Sequence, residues 1–121
     1  MDADETTMIG DASAAADEWL ERLDAGDLEA SWREGASLFR QTVTQEQWAE
    51  AHGRMVSVLG RPRERWLRDS EHLTSVPGAP DGHYVLLRYE TRFERKEEAL
   101  ETVVTILDTD GSWRVGGYFV Q

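Results

Sequence analysis

Three histidines, His52, His72 and His83, are the first residues to test for chemistry, because imidazole acts as base, acid or metal ligand near neutral pH. None stands in a metal-binding spacing such as H-E-x-x-H. His52 falls on a helix beside an apolar stripe, and His72 and His83 fall in or near strands, so structural or solvated roles are expected. No serine sits in a G-x-S-x-G elbow, and the glycines form neither G-x-G-x-x-G nor a P-loop. Paired acids such as Asp17-Glu18 and Glu97-Glu98 read as solvated surface. The chain lacks cysteine, which removes disulfides and thiolate metal sites. No catalytic residue, metal ligand or cofactor is assigned. What remains is hydroxyl chemistry on a sheet, and its geometry depends on strand pairing.

That sheet is read from His83 to Val120. Odd positions Val85, Leu87, Tyr89, Thr91 and Phe93 are largely apolar, while Arg88, Glu90, Arg92 and Glu94 are charged, the alternation of a strand with one buried face. A second strand, Ala99 to Asp108, is rich in Thr, Val and Ile. Asp110-Gly111 is a hairpin signal for a two-residue type I′ turn, and Ser112 to Val120 forms the last strand. This turn pairs Thr109 with Ser112, Ile106 with Val115, Val104 with Gly117, and Thr102 with Phe119. A four-residue loop at Arg95 to Glu98 pairs Leu87 with Ile106, Tyr89 with Val104, Thr91 with Thr102, and Phe93 with Leu100. Arg92 then faces Glu101 on the opposite, solvent side.

In this register Tyr89 leans across Val104 towards the space left by Gly117. The simpler reading is an aromatic ring covering a glycine. The functional one is a small pocket whose polar groups are the hydroxyls of Tyr89 and Thr102, beside Gly117, for a small-molecule ligand.

Helices must cover that face. Residues 1–10 are acidic and expected to be disordered, and residues 11–121 form one domain. Asp11 caps a helix bearing Ala12, Ala15, Ala16, Trp19, Leu20 and Leu23, closed by Gly26. Asp27 caps a second, with Leu28, Trp32, Ala36 and Phe39. Thr44 and Gln47 open a third with a capping box, and Gly60 before Pro62 ends it. Trp19, Trp32 and Trp48, one on each helix, read as core. A strand from about Arg65 to Ser75 follows. The reading is an α+β fold, three helices on one face of a curled four-stranded antiparallel sheet, with the cone shape of cystatin-like and NTF2-like folds.

Net charge is −11, from 24 acidic and 13 basic residues, which disfavours nucleic acid as partner. Arg61, Arg63, Arg65 and Arg68 cluster, and read as a solvated loop and strand edge. No apolar run is long enough for a membrane span, and Met1 to Glu5 does not look like a signal peptide.

The chain resembles the uncharacterised bacterial domain-of-unknown-function family numbered 4019. Trp19-Leu20, Asp24 with Gly26, Ser31-Trp32, Phe39, Gln47-Trp48 and Gly60 carry the likeness. So do Pro77 to Gly82, its most specific segment, with Tyr84, Tyr89, Thr91, Phe93 and Lys96. Glu101-Thr102-Val103, Asp110-Gly111, Trp113-Arg114-Val115 and Gly117-Tyr118 complete it. Val56 and Val58 stand where the family pattern has an arginine and a proline. The resemblance implies an exported, periplasmic or envelope protein from which a signal peptide has been removed. It implies no activity.

Two functions fit. The preferred one is a non-enzymatic binding or interaction module that pairs with a second copy through the outer sheet face, where Leu86, Arg88, Leu107, Arg114 and Tyr118 are expected together. The alternative is a small-molecule enzyme with acid–base groups in the cone. A deeply buried acid favours the enzyme, and a filled cone favours the module.

Overall fold

In the computed structural model, which describes residues 3–121, four helices precede four strands. Helix α1 (Ala3–Asp24) starts well before Asp11. Residues 3–10, expected to be disordered, are therefore helical, with Asp4 and Glu5 supplying the acidic first turn that a helix dipole favours. Ile9 also packs against the core. Met1 and Asp2, the rest of that expected tail, lie outside the described residues. The expected stripe is buried at Ala12, Ala16, Trp19, Leu20 and Leu23.

The expected second helix is two short ones, α2 (Leu28–Arg33) and α3 (Ser37–Thr42). They part at Gly35, where a Cβ would lie 2.6 Å from Cδ2 of Phe39. The break lets the Phe39 ring fold back into the core. Helix α4 (Gln45–Leu59) opens on the Thr44–Gln47 capping box and stops at Gly60, whose φ is 77°.

Strands β1 (Pro62–Leu73), β2 (Tyr84–Phe93), β3 (Lys96–Leu107) and β4 (Trp113–Val120) form one antiparallel sheet in that order. Helix α1 lies along one face and touches every strand. The last hairpin pairs Thr102 with Phe119 and Val104 with Gly117, as expected. Nearer the turn it does not: Ile106 meets Arg114, and Thr105 rather than Ile106 meets Val115. The turn is not type I′, because among its residues only Gly111 has positive φ, 84°. The Asp108 amide bonds the Ser112 carbonyl at 2.8 Å, so the loop is Thr109-Asp110-Gly111, a three-residue hairpin with glycine last. A bulge at Gly116 absorbs the extra residue.

The β2–β3 register differs outright. Leu87 pairs with Val103, Tyr89 with Glu101 and Thr91 with Ala99. Glu94-Arg95 make the turn, since Lys96 already pairs with Phe93. Leu59 and Arg61 hold that turn, their carbonyls accepting from the Arg95 and Glu94 amides at 2.8 and 2.9 Å. The displacement is an odd number of residues, so β3 turns over. Ala99, Glu101, Val103 and Thr105 face the helices and are buried, while Leu100, Thr102 and Val104 face away. The expected Arg92–Glu101 pair is absent, and Arg92 reaches Glu64 at 3.4 Å instead. An acid can sit inside only where opposite charge and hydrogen bonds meet it, and Arg65 supplies both.

Candidate functional site

Glu101 is the centre of the inner face, with no exposed surface. One carboxylate oxygen accepts from Arg65 Nε at 2.6 Å and from the Thr91 hydroxyl. The other accepts from Arg65 Nη2 at 3.1 Å and from the Tyr118 hydroxyl. Arg65 enters from β1 opposite Thr91, with its side chain 16% exposed. Its remaining fork grips Asp24, the last residue of α1, at 2.7 and 3.2 Å. Burial alone would lower the Arg65 pKa, but hydrogen bonds to Glu101 and Asp24 outweigh it and raise the value. Burial, then the Glu101 charge, pushes the Tyr118 phenol up, so it stays protonated as a donor. With two donors on each oxygen, Glu101 has no free acceptor to offer a substrate.

Aromatic rings fill the space beside it. Trp19 lies 5.8 Å from Trp48 and 5.5 Å from Tyr118 between ring centroids, and Phe39 meets Trp48 edge-on at 5.4 Å. The Trp19 indole donates to the Ser31 carbonyl at 2.8 Å and the Trp48 indole to the Ser31 hydroxyl at 2.9 Å. Trp32 donates to the Val43 carbonyl at 2.7 Å. The three tryptophans are packing residues with satisfied N–H groups, as expected.

The pocket expected from Tyr89, Thr102 and Gly117 is not brought together. Tyr89 faces inward and donates to Asp17 at 3.2 Å; Thr102 and Gly117 lie on the outer face, because β3 is turned over. Burial, then Asp17, pushes the Tyr89 phenol up. The ring covering Gly117 is Phe119, whose Cε2 lies 3.3 Å from where a Cβ would be.

Of the expected interaction surface, Leu86, Arg88 and Arg114 do face outward. Tyr118 is inside, and Leu107 pairs with Trp113 on the inward row. Trp66, 48% exposed, and Phe119, 60% exposed, occupy the outer face in their place. Trp66 follows the alternation of β1, but its outward position could be read only once the register with Glu90 was known. Arg65, expected in a solvated cluster, is the main omission.

His72 and His83 stack, with Nε2 of one 3.0 Å from Nδ1 of the other. Among the described residues no group of three or more His, Asp or Glu is placed to hold a metal ion. Asp108, at the end of the sheet, is engaged in a structural role. It caps α3, accepting from the Ser37 amide at 2.9 Å and hydroxyl at 3.0 Å. Burial would raise its pKa, but the Ser37 and Thr109 amides lower it.

No helix among the described residues is long and apolar enough to cross a membrane. No curated protein and no solved structure gives a significant match to the chain. The family described as "Protein of unknown function (DUF4019)" matches residues 15–118, through the inner strands and the helices that cover them, and the chain belongs to that family.

Proposed function

We propose that this domain is a non-catalytic interaction module that pairs with a second copy of itself through the outer face of its sheet. The observation that carries this is the orientation of β3. Its apolar row, Leu100 and Val104, faces outward, and the row holding Glu101 and Thr105 faces inward. With Leu86, Trp66 and Phe119 the outward row makes a half-covered apolar strip, the composition of an interface centre. Ion pairs Arg88–Asp69, Arg88–Glu71 and Arg92–Glu64 flank the strip. In a chain of net charge −11 they offset part of the acidic charge on this face, which lessens the repulsion between two copies. The enzyme alternative needs an inner acid free to exchange protons, and Glu101 is fully engaged. A cystatin-like or NTF2-like cone, read from the order of helices and strands, and an envelope location, which the family likeness implies, belong to the same reading.

Light scattering at micromolar concentration tests it. The parent is expected at the mass of two chains, and Phe119→Glu at the mass of one with an unchanged far-UV spectrum. A single-chain mass for the parent overturns the proposal.

A further inference from the structure

The connection between β1 and β2, residues 74–83, is closed at its base. There the Gly82 amide donates to the Thr74 carbonyl at 3.1 Å, and the His83 carbonyl accepts from the Leu107 amide of β3 at 3.0 Å. Across the same base His72, on β1, and His83 are hydrogen-bonded, Nε2 to Nδ1, at 3.0 Å. His72 stands opposite the buried Val85, and its side chain is 13% exposed, so this bond is largely shielded from water.

A bond between two imidazoles needs one N–H and one bare nitrogen. It forms when both rings are neutral and strengthens when one carries an extra proton. With both rings protonated, each facing nitrogen bears a hydrogen, no acceptor is left, and two like charges meet at close range. On its other side His72 presents Nδ1 to a carboxylate oxygen of Glu5, in the first turn of α1, at 3.8 Å. Among the described residues this is the one carboxylate paired with either ring. Glu71 turns outward to Arg88, Asp81 is exposed, and the neighbouring Val85 and Leu107 bring no charge. Glu5 therefore balances a proton on His72 and leaves one on His83 uncompensated.

We propose that the His72–His83 bond is an acid-released latch on the 74–83 connection, closed while either ring is neutral and opened when both are protonated. On opening, His72 stays with β1 and Glu5. His83 loses its partner and is repelled, which loosens the Gly82–Thr74 and Leu107–His83 bonds beside it. Histidine pairs suit this role because ordinary imidazoles change charge in mild acid.

The test is amide hydrogen exchange of the full chain at about pH 7.5 and about pH 5, above the range in which carboxylates ordinarily titrate. Ring-nitrogen NMR counts the protons on each histidine in the same samples. After correction for intrinsic exchange, the Gly82 and Leu107 amides are expected to lose protection by about tenfold or more in acid, while α4 keeps its own. His83→Gln and His72→Gln replace a ring by an amide that donates and accepts without titrating, and each should abolish the acid loss. His52→Gln, at the third histidine, should leave it intact. A parent whose protection is unchanged once both rings are protonated overturns the proposal, as does a pair that still keeps a bare nitrogen at the lower pH. So does an acid loss that persists in whichever Gln variant of the pair folds. Should neither fold, the parent decides alone, since any loss must follow the second ring proton.

Discussion

Arg65 Nε lies 2.6 Å from a carboxylate oxygen of Glu101, on the face of the sheet that the helices cover. The pair joins β1 to β3 across β2, and through Asp24 it ties the sheet to the end of α1. Removing one member leaves the other charge buried without its partner. Arg65→Met is therefore expected to cost about 3–5 kcal/mol, and Arg65→Met with Glu101→Leu distinctly less, because the double change leaves no orphaned charge. Urea unfolding of both variants decides the matter; a double variant no more stable than the single would contradict it.

Alkaline pH should expose the same network. Tyr118 and Tyr89 both have raised pKa values, caused first by burial and then by Glu101 and Asp17 respectively. The folded state thus holds protons that the unfolded chain, with ordinary tyrosines, releases near pH 10. Their contribution is complete below pH 10 and is lost as pH rises above it. Tyrosinate absorbance of the folded protein should show Tyr89 and Tyr118 resisting ionisation until unfolding, and Tyr118→Phe should flatten the alkaline fall in stability. A parent whose tyrosines all titrate together near pH 10 would refute the assignment.

Ser31 receives both the Trp19 and the Trp48 indole, one on its carbonyl and one on its hydroxyl. Ser31→Ala keeps the first bond and orphans the second donor, at a cost of about 1–3 kcal/mol. Trp48 is the one buried contact of α4, so hydrogen exchange in α4 should accelerate more than in α1. Equal acceleration in both helices would show that Ser31 does not hold α4 separately.

Gly111 has φ of 84° at the end of the β3–β4 turn, with open space where a side chain would go. Gly111→Val suffers backbone strain alone, expected at about 1–2 kcal/mol. Gly116→Ala fails for the opposite reason, since its Cβ would stand 2.3 Å from Cδ1 of Ile106. Thermal melts should show both losses, and only Gly116→Ala should be relieved by Ile106→Val, which removes the clashing methyl. Relief of neither, or of both, would place the strain elsewhere.

Much of the frame was legible in local chemistry. The α4 capping box, the glycine stop at Gly60 and the stripe Ala12, Ala16, Trp19, Leu20, Leu23 each depend on near neighbours, and each stands where expected. The last hairpin was legible in its far half because the wrong turn length and the unforeseen bulge at Gly116 cancel. The face of β3 was not legible. Its even positions Leu100 and Val104 are the more apolar, and hydrophobicity alone would bury them. Glu101 goes inside because of Arg65, 36 residues away, and no local pattern carries such a pairing. With β3 reversed, Tyr89 was separated from Thr102 and Gly117, and Tyr118 from the outer surface.

The irregularity of β1 between Leu67 and Asp69 bears on how many copies could ever join. A free sheet edge is a template on which further chains add without limit. Along β1 that edge starts at Pro62, is kinked where the pairing with β2 slips, and carries Arg63, Glu64, Arg68, Asp69 and Glu71. At the other margin, the Ala36 amide bonds the Val115 carbonyl at 2.7 Å and takes up an acceptor of β4. Sideways recruitment is blunted at both margins, so the pairing proposed through the outer face would close after two chains instead of running on into a fibre.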